Sequence, residues 1–166
     1  MANTYTLIAS STVTGATASS ISFTSIPSTY TDLCLKISAR TNAAGWDNMV
    51  LQFNGSSTGY TYRFMNGNGS ATSSSSGSSS VIGLTDYSGA TANTFGNAEI
   101  YIPNYAGSNN KSYSGDFATE NNATAAYAEL WANLWSNSSA ISSIAITAGG
   151  SFVQYSSAYL YGVKNA

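Results

Sequence analysis

In the segment Leu33-Cys34-Leu35-Lys36-Ile37-Ser38-Ala39-Arg40, the apolar residues Leu33, Leu35, Ile37 and Ala39 hold every second position, with Lys36, Ser38 and Arg40 between them. An extended backbone sends these two sets to opposite faces, whereas a helix would scatter each set around its circumference. The segment therefore reads as a β-strand with Leu33, Leu35 and Ile37 in a core and Lys36, Ser38 and Arg40 in water. Met49, Leu51 and Phe53 repeat the pattern, and Leu51 and Phe53 join the expected core.

The same period of two recurs along the chain in short segments bounded by turn residues. Tyr5, Leu7 and Ala9 alternate with Thr6, Ile8 and Ser10, and Ile21, Phe23 and Ser25 lead into Ile26-Pro27, where proline ends the strand. Met49, Leu51 and Phe53 run into Asn54-Gly55 and are followed by Tyr60, Tyr62 and Phe64, which predicts a hairpin across that turn. Residues 66–80 are almost wholly Gly, Ser, Asn, Ala and Thr and predict a long, exposed, flexible loop. Further strands are predicted at 81–84, 99–102, 113–119, 123–135, 144–146, 152–153 and 158–163. Within 123–135, rich in Ala and Leu, the alternation of Tyr127, Glu129 and Trp131 against Ala126, Ala128, Leu130 and Ala132 favours strand over helix. About 8–10 short strands imply an all-β fold, an antiparallel two-sheet jelly-roll sandwich, in one domain spanning 1–166.

Composition agrees with this class. Charged residues make up 7% of the 166 residues, against about 25% in an average soluble domain, and Ser, Thr, Asn and Gly replace them. With 13% aromatic residues at strand spacing, the chain is not of the disordered class. A net charge of -2, with only Lys36, Arg40, Arg63, Lys111 and Lys164 as cations, offers no basic stripe, so nucleic acid is not an expected partner. No apolar run approaches the roughly 20 residues of a membrane-spanning helix, and Met1-Ala2-Asn3-Thr4 carries no secretory signal pattern. Cys34 has no second cysteine to pair with and reads as a small buried hydrophobe.

The chain has no histidine, which removes Ser-His-Asp and Cys-His catalysis and His-containing metal sites. No catalytic residue, cofactor or metal is expected, and the protein reads as a non-enzyme. The enzymatic option left open is a glycosidase carboxylate pair drawn from Asp32, Asp47, Asp86, Asp116, Glu99, Glu120 and Glu129. Most of these stand beside turn residues, where an Asp bonds its own backbone, as in Tyr30-Thr31-Asp32, Trp46-Asp47-Asn48 and Ser114-Gly115-Asp116. Calcium has oxygen ligands to choose from at Trp46-Asp47-Asn48 or Glu120-Asn121-Asn122, yet no spaced Asp-x-Asp-x-Asp loop is present. Trp46, Trp131, Trp135 and twelve tyrosines are the remaining resource, as core filler, as interface anchors or as platforms for sugar rings.

Four segments together resemble a family of tailed-phage virion proteins: Tyr5-Thr6-Leu7-Ile8-Ala9-Ser10; Ser22-Phe23-Thr24-Ser25-Ile26-Pro27 running into Tyr30-Thr31-Asp32-Leu33; Gln52-Phe53-Asn54-Gly55; and Tyr159-Leu160-Tyr161-Gly162-Val163. The resemblance spans nearly the whole chain, except the generic stretch 67–96. It implies a jelly-roll virion component on the capsid surface, a decoration or cement protein that binds the major capsid protein and stabilises the shell. The alternative it leaves is a receptor- or carbohydrate-binding module of a fibre, with a host-surface glycan as ligand. Such jelly rolls associate as trimers, which implies a homo-oligomer here, and an N-terminal arm held by a neighbour suits the cement role. A chain this poor in charge leaves its strand edges poorly guarded. Tyr5, Leu7, Trp131 and Trp135 are the residues expected at the subunit contacts.

Overall fold

The computed structural model describes residues 4–122 and 126–164. The described residues form twelve strands and no helix: β1 (Tyr5–Thr12), β2 (Thr17–Phe23), β3 (Asp32–Ala39), β4 (Asp47–Phe53), β5 (Tyr60–Gly67), β6 (Thr72–Gly77), β7 (Val81–Thr85), β8 (Gly96–Ile102), β9 (Lys111–Ala118), β10 (Ala128–Trp135), β11 (Ile144–Val153) and β12 (Ser157–Val163). Eight of them make one sheet in the order β1-β12-β3-β8-β9-β10-β5-β6, and the other four make a second sheet in the order β2-β11-β4-β7. Every strand pairing within the two sheets is antiparallel. The fold is a β-sandwich.

The pairing is nested: β1 lies beside β12, β2 beside β11, β3 beside β8 and β4 beside β7. The hairpins β5–β6 and β9–β10 interrupt this scheme in the sequence and extend the large sheet beyond β8. The small sheet has half as many strands.

The core lies between the sheets, where the alternation in β3 and β4 placed it. Leu33, Leu35, Leu51 and Phe53 are 0% exposed and Ile37 is 3% exposed, as expected from their spacing. Phe152, Ile144 and Ile146 of β11 and Leu160 of β12 close the same core.

Several expectations are corrected. The strands number twelve, above the expected range of about 8–10, and one of them, β6, forms where a loop was expected. Asn54 and Gly55 do take the positive φ values of a tight turn, 51° and 70°, but β4 and β5 are not a hairpin. The six residues 54–59 carry the chain from the small sheet to the large one, and Phe53 N–H donates back across the gap to the Tyr60 hydroxyl at 2.8 Å. Residues 66–80 are not a loop throughout, since β6 pairs with β5 over Tyr62↔Gly77 to Gly67↔Thr72. A serine run can do this because a ladder needs backbone groups rather than apolar side chains. Gly77 leaves room there for the Tyr62 ring that lies over it: a Cβ would stand 2.6 Å from that ring. The segment is otherwise exposed as expected, with Ser80 alone buried in the stretch 70–80.

Residues 144–146 and 152–153 form the single strand β11, whose register against β2 jumps between Thr147 and Phe152. Asp47 fastens this bulge by accepting Gly149 N–H and Gly150 N–H, each at 2.8 Å. The strand expected over 123–135 is β10; the first three residues of that range lie outside the described residues, as do residues 1–3, where an N-terminal arm would begin.

Arg40, expected in water, is 9% exposed. It lies just past β3 and turns inward to hold the loop 87–95, where the sequence pattern of the strand no longer governs it.

Candidate functional site

The residues between the core positions of the large sheet project from its outer face. Cross-strand register aligns one row as Leu7, Tyr161, Cys34, Tyr101 and Ser114. The next row reads Tyr159, Lys36, Glu99, Asp116, Leu130 and Met65. Beside the polar Lys36, Glu99, Ser114 and Asp116, this face carries large apolar side chains in the open: Tyr5 and Leu7 are each 50% exposed, Tyr101 and Tyr159 39%, Met65 57% and Leu130 58%. Of the seven large hydrophobic side chains exposed among the described residues, six stand on this face; the seventh, Tyr155, sits in the turn after β11. Lys36, Glu99 and Asp116 stand between Tyr159 and the Leu130–Met65 pair in register, and the gathering of exposed apolar side chains on one face is what singles it out as a candidate interaction surface.

The face is also grooved. A cavity of about 700 Å³ runs over β9, β10, β5 and β6, walled by Met65, Thr72, Ser74, Asp116 and Leu130. Its floor is low because Gly67, Ala118 and Ala128 are small and share one cross-strand row. A smaller one of about 240 Å³ adjoins it, bordered by Glu99, Tyr101, Ser114, Asp116 and Leu130.

The seven carboxylates separate into structural and exposed groups. Asp32 accepts the Tyr101 hydroxyl at 2.5 Å and Asn104 N–H at 2.9 Å, and this bond is the chief reason the Tyr101 phenol is pushed up to about 12. Asp86 accepts Asn121 Nδ2 at 2.9 Å inside the protein. Glu129, on the inner face of β10, accepts Leu84 N–H at 2.8 Å and so ties the two sheets together. Asn133 makes a second tie by donating to Val81 C=O at 2.8 Å. Asp32 and Asp47 therefore bond distant backbone, correcting the expectation that they serve their own turns.

Glu99 and Asp116 are brought together, as direct cross-strand neighbours on the grooved face. The Lys36 ammonium lies 2.8 Å from Glu99, and its hydrogen bond holds the Glu99 carboxyl below its ordinary value. A general acid needs the opposite shift, so Glu99 does not have the electrostatics of that role. Among the described residues no group of three or more His, Cys, Asp or Glu side chains gathers where a metal would bind.

Trp131 and Trp135 belong to the inner face of β10, at 5% and 1% exposure. Trp131 stacks on Phe64 with centroids 4.5 Å apart, and Trp135 stacks on Tyr60 at 6.0 Å. Both rings are therefore committed to the core, whereas Tyr5 and Leu7 share the outer face. The strand pattern alone did not point to Met65, Tyr101, Leu130 and Tyr159; the signal available was an apolar residue at the parity assigned to water.

Cys34 is fully buried on this same outer side, between Tyr161 and Tyr101 in register. Burial, followed by the nearby Glu99 carboxylate, pushes its thiol up to about 11. A thiol without thiolate is a poor nucleophile. Cys34 is expected to resist a thiol-specific reagent at neutral pH in the native protein and to react fully in urea; rapid stoichiometric labelling of the folded chain would contradict the burial described.

No family model matches this chain, and no curated protein matches it either.

Proposed function

We propose that this protein is a non-catalytic jelly-roll component of a tailed-phage virion, a decoration protein that docks on the major capsid protein through the outer face of its large sheet and reinforces the shell. The observation that carries this reading is the concentration of six of the seven exposed large hydrophobic side chains on that one face. The sequence resemblance supplies the partner. The nested pairing of β1 with β12, β2 with β11, β3 with β8 and β4 with β7 supports the jelly-roll topology, with the hairpins β5–β6 and β9–β10 as additions.

A density map of the intact particle tests it, since a decoration protein recurs over the capsid lattice while a fibre protein is confined to a few vertices or to the tail. The face is tested separately with Leu7→Asp and Leu130→Asp. Each places a charge in the contact, and each is expected to weaken binding to undecorated capsids tenfold or more, about 1.4 kcal/mol, while leaving the unfolding midpoint unchanged. Undiminished binding by both variants would remove the outer face from the proposal. Binding to host polysaccharide in place of capsids would transfer the chain to the receptor-binding alternative.

A further inference from the structure

A sandwich with two open sheets has four edge strands, here β1 and β6 on the large sheet and β2 and β7 on the small one. Each presents alternate backbone N–H and C=O groups to whatever can pair with them, and folded proteins interrupt such edges with bulges, proline or charge. Two edges carry such an interruption and a third lies against one. The register of β1 slips between Leu7 and Ala9, that of β7 slips opposite Met49 and Val50, and β2 faces the jump between Thr147 and Phe152 of β11. The fourth is not: β6 runs in unbroken register with β5 for six residues, Thr-Ser-Ser-Ser-Ser-Gly, with no charge, no proline and no bulge.

We propose that β6 is a self-association edge, pairing antiparallel with β6 of a second copy about a two-fold axis near Ser74 and Ser75, so that the two large sheets become one. The choice of a second copy rests on two features of the strand. Every side chain that such a pairing sets opposite another is Ser, Thr, Gly or Ala, so the self-juxtaposition carries no like-charge repulsion and no clash of size. The other edges of a second copy are interrupted, which disfavours head-to-tail addition to β1 and leaves β6 as the matching unbroken edge. An isologous contact of this kind closes on itself. It gives a dimer, in contrast to the trimer implied by the resemblance, and it stands independently of capsid binding through the outer face.

The test is sedimentation of the full isolated chain and of Ser74→Lys, Ser75→Lys and Ser75→Glu. All three substitutions are at exposed positions, so the unfolding midpoint is expected to stay put and report intact folding. The wild-type chain is expected to dimerise, each variant alone to raise the dimer dissociation constant tenfold or more, and an equal mixture of Ser75→Lys and Ser75→Glu to recover the dimer. Amide exchange over 72–77 is expected to slow as concentration rises. A wild-type chain that stays monomeric, or a dimer whose dissociation constant is unchanged in both lysine variants, would overturn the proposal.

Discussion

Trp135→Ala is expected to cost about 3–5 kcal/mol of folding stability, measured by urea unfolding followed by far-ultraviolet circular dichroism. The indole is 1% exposed, lies at 18° to the Tyr60 ring and sits 5.5 Å from the Phe53 ring, which in turn meets Tyr113 edge-on at 5.2 Å. These rings come from both sheets, and Tyr60 also accepts the Phe53 N–H that spans the 54–59 crossover. Removing the indole thus opens a cavity at the place where four strands are held in position by aromatic contact, and little around it can collapse inward. Leu7→Ala supplies the contrast, because a half-exposed side chain at an edge is worth no more than about 0.5 kcal/mol. A loss under about 1 kcal/mol at Trp135 would mean that the aromatic cluster is not packed as described.

Arg40→Leu is expected to cost about 2–4 kcal/mol, and Arg40→Lys to recover only a small part of it. The guanidinium donates through Nη1 to Thr91 C=O at 2.8 Å and Thr94 C=O at 3.0 Å, and through Nη2 to Ala90 C=O at 3.0 Å and Ser88 C=O at 3.3 Å. One planar fork thereby satisfies four carbonyls of an irregular loop that has no ladder of its own. An ammonium has the charge but lacks the span. Hydrogen exchange separates this account from a general loss of packing: amides of 87–95 are expected to exchange faster in Arg40→Lys, while those of β3 and β8 keep their protection. Equal stability of the wild type and the lysine variant would refute the fork argument.

Strand faces were legible in the sequence because alternation is local. Leu33, Leu35 and Ile37 announce an inner face with no knowledge of what they pack on, and Leu51 and Phe53 do the same. Partners are not local, which is why Asn54-Gly55 suggested a hairpin although β4 pairs with β7 and β11. Side-chain alternation also says nothing where side chains are uniform, so the serine run of β6 gave no sign of its ladder. The outer face was half legible. Tyr5 and Leu7 were read as contact residues from their apolar character and are exposed, but Trp131 and Trp135 were grouped with them although β10 turns both inward. In β10 both parities carry large apolar residues, Leu130 on one and Trp131 on the other, so no local rule decides which is core. Arg40 was unreadable for a different reason: the carbonyls that draw it inward lie about 50 residues further along the chain.

The nested pairing has a kinetic side. Tyr5 finds its partner in Val163, and the ladder between β1 and β12 joins the first and last of the described strands. Such pairings close only after the loop between them has paid its entropy, so an all-β chain of this topology is expected to fold on the millisecond-to-second scale of high contact order. During synthesis the first strand must wait, unpaired, until the last has left the ribosome. The apolar residues of β3 and β4 wait less long, for β8 and β7, and the time between translation and closure is when this protein is most open to aggregation.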